Sequence, residues 1–281
     1  MKRFSATAAV LLLATGLAGA ARAQEAPAEK APTVEEVVAK TNLAAYYQGQ
    51  DGRAKVSMSI VDGQGRERTR EFTILRRDEP GPEGSDQDAY AGNQKFYIYF
   101  QRPADVNKMV FLVWKQAAAD QDDDRWLYLP ALDLVKRIAG SEKRTSFVGS
   151  DFFYEDVSGR HTSEDIHELV ETTDNYYVLN NVPRDPDSVE FANYKMWIHK
   201  ASFLPIKIEY YGKGGEKIRE YNALGVETIQ GHPTVTRASM KDYRTGSTTT
   251  MSYRDVVYDI GLPDDIFSER YLRKPPRAQL R

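Results

Sequence analysis

No cysteine occurs anywhere in the 281 residues. That absence excludes a disulfide framework, thiolate catalysis, Cys-ligated zinc and a lipobox anchor. Histidine is scarce as well, with four in all, and none forms HExxH or a comparable close pair. His161 and His167 lie near Glu164 and Asp165, but their spacing reads as solvated loop. The acidic run from Asp120 to Asp124 lacks the spaced ligands and glycine of an EF-hand loop and reads as a solvated turn. No metal and no cofactor is expected. A G-x-S-x-G elbow is missing around Ser141 and Ser150, and Gly212-Lys213-Gly214-Gly215 is a hairpin turn without the spacing of a P-loop. There is no excess of positive charge, with 38 basic against 41 acidic residues, which argues against a nucleic-acid binder.

Only one hydrophobic run approaches membrane-spanning length, and it stands at the start. Lys2 and Arg3 precede a small, apolar stretch from Ala6 to Ala18, and Ala21-Arg22-Ala23 fits a signal-peptidase site with cutting before Gln24. The expectation is a signal peptide over 1–23, a disordered leader over 24–32 (QEAPAEKAP), and one domain over 33–281. Cleavage leaves 35 basic against the same 41 acidic residues. The mature chain is expected to be soluble in the periplasm. Glu155 and Asp156 are adjacent carboxylates of the kind hydrolases use in pairs, but adjacent acids on an acidic surface are common. A strand-rich exported chain with neither nucleophile nor metal set reads as a binder in preference to an enzyme.

What is abundant is aromatic residues, with 17 Tyr and 11 Phe, and short alternating segments. Thr33 is a good N-cap before Glu35 and Glu36, and Val34, Val37, Val38 and Thr41 keep helical spacing, which predicts a helix over 33–46. From Arg53 the period becomes two: Ala54, Val56, Met58 and Ile60 alternate with polar residues. After the Asp62–Gly65 turn, 66–77 returns as a charged, exposed strand. Further strands are expected over 95–101, 109–115, 126–129, 134–138, 168–173, 176–181, 194–199, 205–211, 217–226, 233–242 and 246–253. Short helices are expected near 150–157 and 263–267. Short strands joined by turns give a mainly β (α+β) fold, one large, curved antiparallel sheet with a few helices.

The densest stretch runs from Arg125 to Val157. Asp124-Arg125-Trp126-Leu127-Tyr128-Leu129-Pro130-Ala131-Leu132, Lys136-Arg137-Ile138, Ser146-Phe147-Val148-Gly149-Ser150-Asp151-Phe152 and Tyr154-Glu155-Asp156 together resemble the outer-membrane lipoprotein-sorting proteins of the LolA-like superfamily. More closely, they are similar to a branch of periplasmic members with a DRW-YLP…SF-GSDF-YED signature. The runs from Phe100 to Trp114 and from Trp197 to Glu209 look like the same branch. The well-studied sorting proteins are shorter and carry this signature only weakly.

The resemblance implies an unclosed β-barrel whose mouth is covered by helices, with an apolar cavity for acyl chains. It implies a carrier that takes a lipid or lipoprotein between the inner and outer membranes, in transient membrane contact, with an inner-membrane resistance-nodulation-division (RND) type transporter as partner. An accessory or structural subunit of an envelope transporter, its cavity filled by side chains, is the alternative. Candidate cavity-wall residues are Phe111, Trp114, Trp126 and Tyr128, then Phe147, Phe152, Phe153 and Trp197; plain core packing is the competing reading. Candidates for headgroup or partner contact are the cations Arg125, Lys136, Arg137, Lys143 and Arg144, with the acids Asp151, Glu155 and Asp156. For the cations the competing reading is a solvated strand edge that discourages aggregation. The helix at 33–46 and the loop at 146–157 are the expected cavity closures.

Overall fold

The computed structural model describes residues 31–81, 91–118 and 120–281. The expected signal segment, most of the leader and part of the 78–92 loop lie outside the described residues. From Thr33 onward the chain forms one compact unit.

Helix α1 (Val34–Tyr46) starts where the sequence predicts. The Thr33 hydroxyl accepts from Glu36 N at 3.2 Å, and the Glu36 carboxylate accepts from Thr33 N at 2.8 Å, a reciprocal capping box. Thr33→Ala should cost about 1 kcal/mol and lower the melting temperature by about 2–4 °C. An unchanged melt would show that packing alone fixes the helix.

Thirteen strands follow: β1 (Asp51–Val61), β2 (Glu67–Asp78), β3 (Gln94–Arg102), β4 (Val110–Lys115), β5 (Asp124–Leu129), β6 (Leu134–Arg137), β7 (Asp165–Thr172), β8 (Tyr176–Pro183), β9 (Asn193–His199), β10 (Pro205–Tyr211), β11 (Lys217–Ile229), β12 (His232–Asp242) and β13 (Ser247–Tyr258). All belong to one sheet in the order β6-β5-β4-β3-β2-β1-β13-β12-β11-β10-β9-β8-β7. Every pair is antiparallel. Because β13 returns to β1, the order is that of an up-and-down barrel opened at one place. The opening lies between β6 and β7, which do not pair among the described residues. The chain connecting those two strands includes α2 (Tyr154–Ser158) and the second half of the signature.

That connection goes into the interior instead of continuing the wall. Phe147, Phe152 and Tyr154 join the inner-face core of Val56, Met58, Phe72, Phe96, Ile98, Phe100, Phe111, Met240 and Met251. The Phe147 ring lies 5.6–6.2 Å from those of Phe72, Phe100, Phe111 and Tyr154. The predicted helix at 150–157 therefore begins later, at Tyr154, because Ser146 and Phe153 form an isolated bridge that holds the preceding turn.

The other face of β2–β5 is also covered. Leu75, Tyr97, Val110, Leu112 and Trp126 meet Leu262, Ile266, Phe267, Leu272 and Leu280 of the C-terminal segment. This corrects the expectation of an exposed strand at 66–77: β2 lies mid-sheet between β1 and β3, and Arg70, Phe72, Thr73 and Leu75 are buried. The basic tail is likewise folded onto the sheet by its apolar residues.

Candidate functional site

Inside the opened barrel lies a cavity of about 320 Å³, large enough for one small-molecule ligand. Alternate residues of β1–β3 supply one wall through Ala54, Phe72, Ile74, Phe96 and Ile98. Met251, Met240 and Ile208 continue the wall from β13, β12 and β10, the end of α1 adds Ala44, Ala45 and Tyr46, and the inserted connection contributes Phe147, Phe152, Asp156 and Val157. Five tyrosines, 46, 210, 221, 253 and 258, also line it. Burial raises all five hydroxyls, Tyr253 to about 12, so they remain neutral at physiological pH. The segment 146–157 thus supplies part of the cavity wall.

The end of α1 is clamped. Arg76 donates to the carbonyls of Tyr46, Gln48 and Gly49, the last two at 2.7 and 2.6 Å, and Gln94 Nε2 donates to Tyr46 O at 2.8 Å. Such donors satisfy carbonyls that a helix C-terminus leaves open. The Tyr46 ring lies over Gly159, where a Cβ would stand 2.7 Å from the ring; only glycine fits there, and its φ of +85° favours glycine too. Beneath the clamp is the buried Lys115. It donates to Ser158 O at 2.8 Å, and burial pushes its amine down to about 8.

Asp78, 3.4 Å from Arg76, accepts from Gln94 Nε2 at 2.7 Å, yet burial pushes its carboxyl up to about 6. Its folded value lies above the unfolded one, near 3.9. The charged form therefore weakens the fold above pH 6, and that cost disappears as pH falls from 6 towards 4. Asp78→Asn should raise stability at pH 7 by about 1–3 kcal/mol, with the gain shrinking towards pH 4. Thermal melts across that range check it; a gain independent of pH would refute the assignment.

The signature acids and cations form a buried network. Glu155, 2% exposed, lies at its centre. Its Oε1 is 3.0 Å from Lys143 Nζ and 3.6 Å from Arg160 Nη1, and its Oε2 is 2.5 Å from Arg144 Nη1. Arg144 also forks onto Glu190 at 2.6 and 2.7 Å. Lys143 reaches Glu164 at 2.7 Å, and Arg160 reaches Asp165 at 3.0 Å. Fully buried Arg219 meets Asp156 at 2.5 Å, donates to Asp151 O at 2.9 Å, and stacks 3.8 Å over the Phe153 ring. The Asp151 carboxylate accepts from the hydroxyls of Ser247 and Thr249. The network ties the inserted connection to β11, β13 and Glu190. Burial alone would raise the Glu155 carboxyl, but Arg144, Lys143 and Arg160 overcome that and hold it at about 2.

The sequence candidates therefore separate. Phe147 and Phe152 line the cavity, while Phe111 is packed behind Phe147. Trp114, Trp126 and Tyr128 lie on the opposite face under the C-terminal segment, where alternation along β4 and β5 directs them away from the cavity. Trp197 alternates with the inward Met196 and Ile198 and carries Lys207 4.8 Å over its ring. Phe153 serves Arg219. None of these five aromatics lies on the cavity wall. Lys143, Arg144, Asp151, Glu155 and Asp156 belong to the buried network, and Arg125 is buried against Asp123 at 2.5 Å. This also corrects two readings of solvated acids, because Asp123 and Glu155 are buried. Exposed Lys136 and Arg137, on edge strand β6, pair with Glu142 and Asp124.

A second cavity of about 110 Å³ shares Ala45, Tyr46, Asp156, Pro205, Ile208 and Tyr210 with the first. His161 and His167, expected in solvent, line it. His167 spans Thr162 O at 2.7 Å and Asn181 Oδ1 at 2.6 Å. The alternation of His167 and Leu169 along β7 was the available signal.

Residues 92–274 match a family model described as an uncharacterised protein. Among solved structures the chain is similar to a DUF1329 family protein from Desulfovibrio piger, at 31% identity and a TM-score of 0.74 over 85% of this chain and 98% of that one. It is similar to a domain named for outer membrane lipoprotein sorting from Vibrio parahaemolyticus, at 26% identity and a TM-score of 0.71 over 84% and 97%. A LolA superfamily protein from Nitrosomonas europaea shares the fold at 21% identity and a TM-score of 0.62 over 86% and 100%. No curated protein matches the chain. The unclosed, mainly β architecture implied by the signature is the one observed.

Proposed function

We propose that this chain, which belongs to the DUF1329 family and has a LolA-like fold, is a periplasmic carrier that holds acyl chains of a lipid or lipoprotein in the 320 Å³ cavity. It moves them between the inner and outer membranes, with an inner-membrane RND-type transporter as its partner. The observation that carries this reading is the apolar space left between α1, the inner sheet face and the inserted connection. Each buried CH₂ of a chain contributes about 0.8 kcal/mol, so affinity needs no charged contact. A filled-barrel subunit would leave no such space. Hydrolysis through Glu155 and Asp156 is disfavoured because both carboxylates are committed to cations. A Glu155 carboxyl held near 2 is also a weak proton acceptor at neutral pH.

The test is gentle purification followed by organic extraction and mass spectrometry, with uptake of added phospholipid and acylated peptide measured in parallel. Co-purifying lipid or saturable uptake is expected. Absence of both would remove the carrier reading.

A further inference from the structure

The two cavities share a wall, and both are lined mainly by apolar groups. Among the residues that line only the smaller are Thr41, Asn42, Arg144, His161, His167 and Asn181. Tyr46 and Tyr210 stand at the boundary, and both feel the Asp156 carboxylate, which lines both cavities. Thr41 is 6% exposed, and its hydroxyl has no hydrogen-bond partner among the described residues. A buried hydroxyl in that state costs free energy, and it lies on the wall of the smaller cavity.

Charge decides what would satisfy it. Lys143, Arg144, Arg160 and Arg219 are already matched by Glu155, Asp156, Glu164, Asp165 and Glu190. The cations are outnumbered, so an anionic head entering beside Asp156 would meet a carboxylate and no free cation of this network. A cationic head would compete with arginines already in place.

Resting on the carrier reading, we infer that the smaller cavity receives an uncharged hydrogen-bonding head, a hydroxyl or amide group, of a single-chain amphiphile whose tail occupies the larger one. At about 110 Å³ it has room for a small polar group and for none as bulky as a second chain.

The experiment is displacement of a fluorescent fatty-acyl probe from the full mature chain by amphiphiles with one tail and three heads: a monoacylglycerol, a lysophosphatidic acid and an alkyl trimethylammonium. The monoacylglycerol should bind about tenfold tighter than either charged analogue, a difference of about 1.4 kcal/mol. Thr41→Val, nearly isosteric, should reduce that preference about three- to tenfold through one lost hydrogen bond, while displacement by a methyl ester of the same tail stays unchanged. Equal binding of all heads, a preference for the anion, or an unaltered preference in Thr41→Val overturns the head assignment and leaves the carrier standing. Failure of every amphiphile to displace or bind removes the carrier reading and this inference together.

Discussion

Glu155→Gln should lower stability by about 3–5 kcal/mol, the range for removing one partner of a buried ion pair, and the melting temperature by about 10 °C. The carboxylate touches Lys143, Arg144 and Arg160 and is 2% exposed. An amide of the same shape keeps one acceptor and presents two N–H donors to three cations. The pH dependence provides the internal check. With the folded carboxyl at about 2 and the unfolded one near 4.3, the group's contribution is complete above that unfolded value and is lost as pH falls towards 2. The difference between wild type and Glu155→Gln should therefore be constant from pH 5 to 7 and shrink below pH 4. Melts within 2 °C of each other at pH 7 would show that the network contributes specificity without stability. Pairing Glu155→Gln with Lys143→Gln should recover part of the loss, because it removes one of the stranded cations.

Periodicity carries local information, and the partners in this network are remote in sequence. Alternation along β1 fixes Ala54, Val56, Met58 and Ile60 on one face, and the capping pair Thr33 and Glu36 fixes where α1 begins. Local chemistry dictates both. The run Val110 to Trp114 is apolar on both faces, so its alternation cannot say which face meets the cavity. Phe111 and Val113 turn inward, and Leu112 turns outward to meet the C-terminal segment about 150 residues later. The apolar spacing of Ile266, Phe267, Leu272 and Leu280 in an otherwise basic tail was the usable sign that an outer face needed covering. For the signature cations the partners are remote: Arg144 is paired with Glu190 and Arg219 with Asp156. A conspicuous cluster of charge next to aromatics reads equally as a docking surface or as a buried tie, and only the strand order, broken between β6 and β7, selects the tie.

That break also explains how one chain holds an apolar space without collapsing into it. A barrel of about eight strands fills its own centre with side chains and the interior widens as strands are added, so thirteen strands leave room inside. Here the inserted connection fills one end with Phe147, Phe152 and Tyr154 and is fastened by charge at Glu155, Asp156 and Asp151. The other end, under α1, is left to small residues, Ala44, Ala45, Gly52 and Ala54. The interior is thus filled where the signature lies and spacious where the helix lines it.

Ala54→Trp tests that division of labour. Ala54 faces the cavity from β1 opposite Ile74 of β2, and a tryptophan there would project into space already present, in a strand that favours aromatic residues. Uptake of an acyl-chain probe should fall at least about tenfold, equivalent to 1.4 kcal/mol or more of lost binding. The melting temperature should stay near that of the wild type, because the overpacking that costs about 1–3 kcal/mol in a filled core is avoided where a cavity accepts the ring. An outer-face control, Val182→Thr at an exposed position of β8, should change neither. If Ala54→Trp takes up the probe as the wild type does, the ligand space is not this cavity. If it unfolds the protein instead, the interior is closer to filled than its volume indicates, and the smaller Ala54→Leu must show the same selective loss of uptake for the assignment to survive.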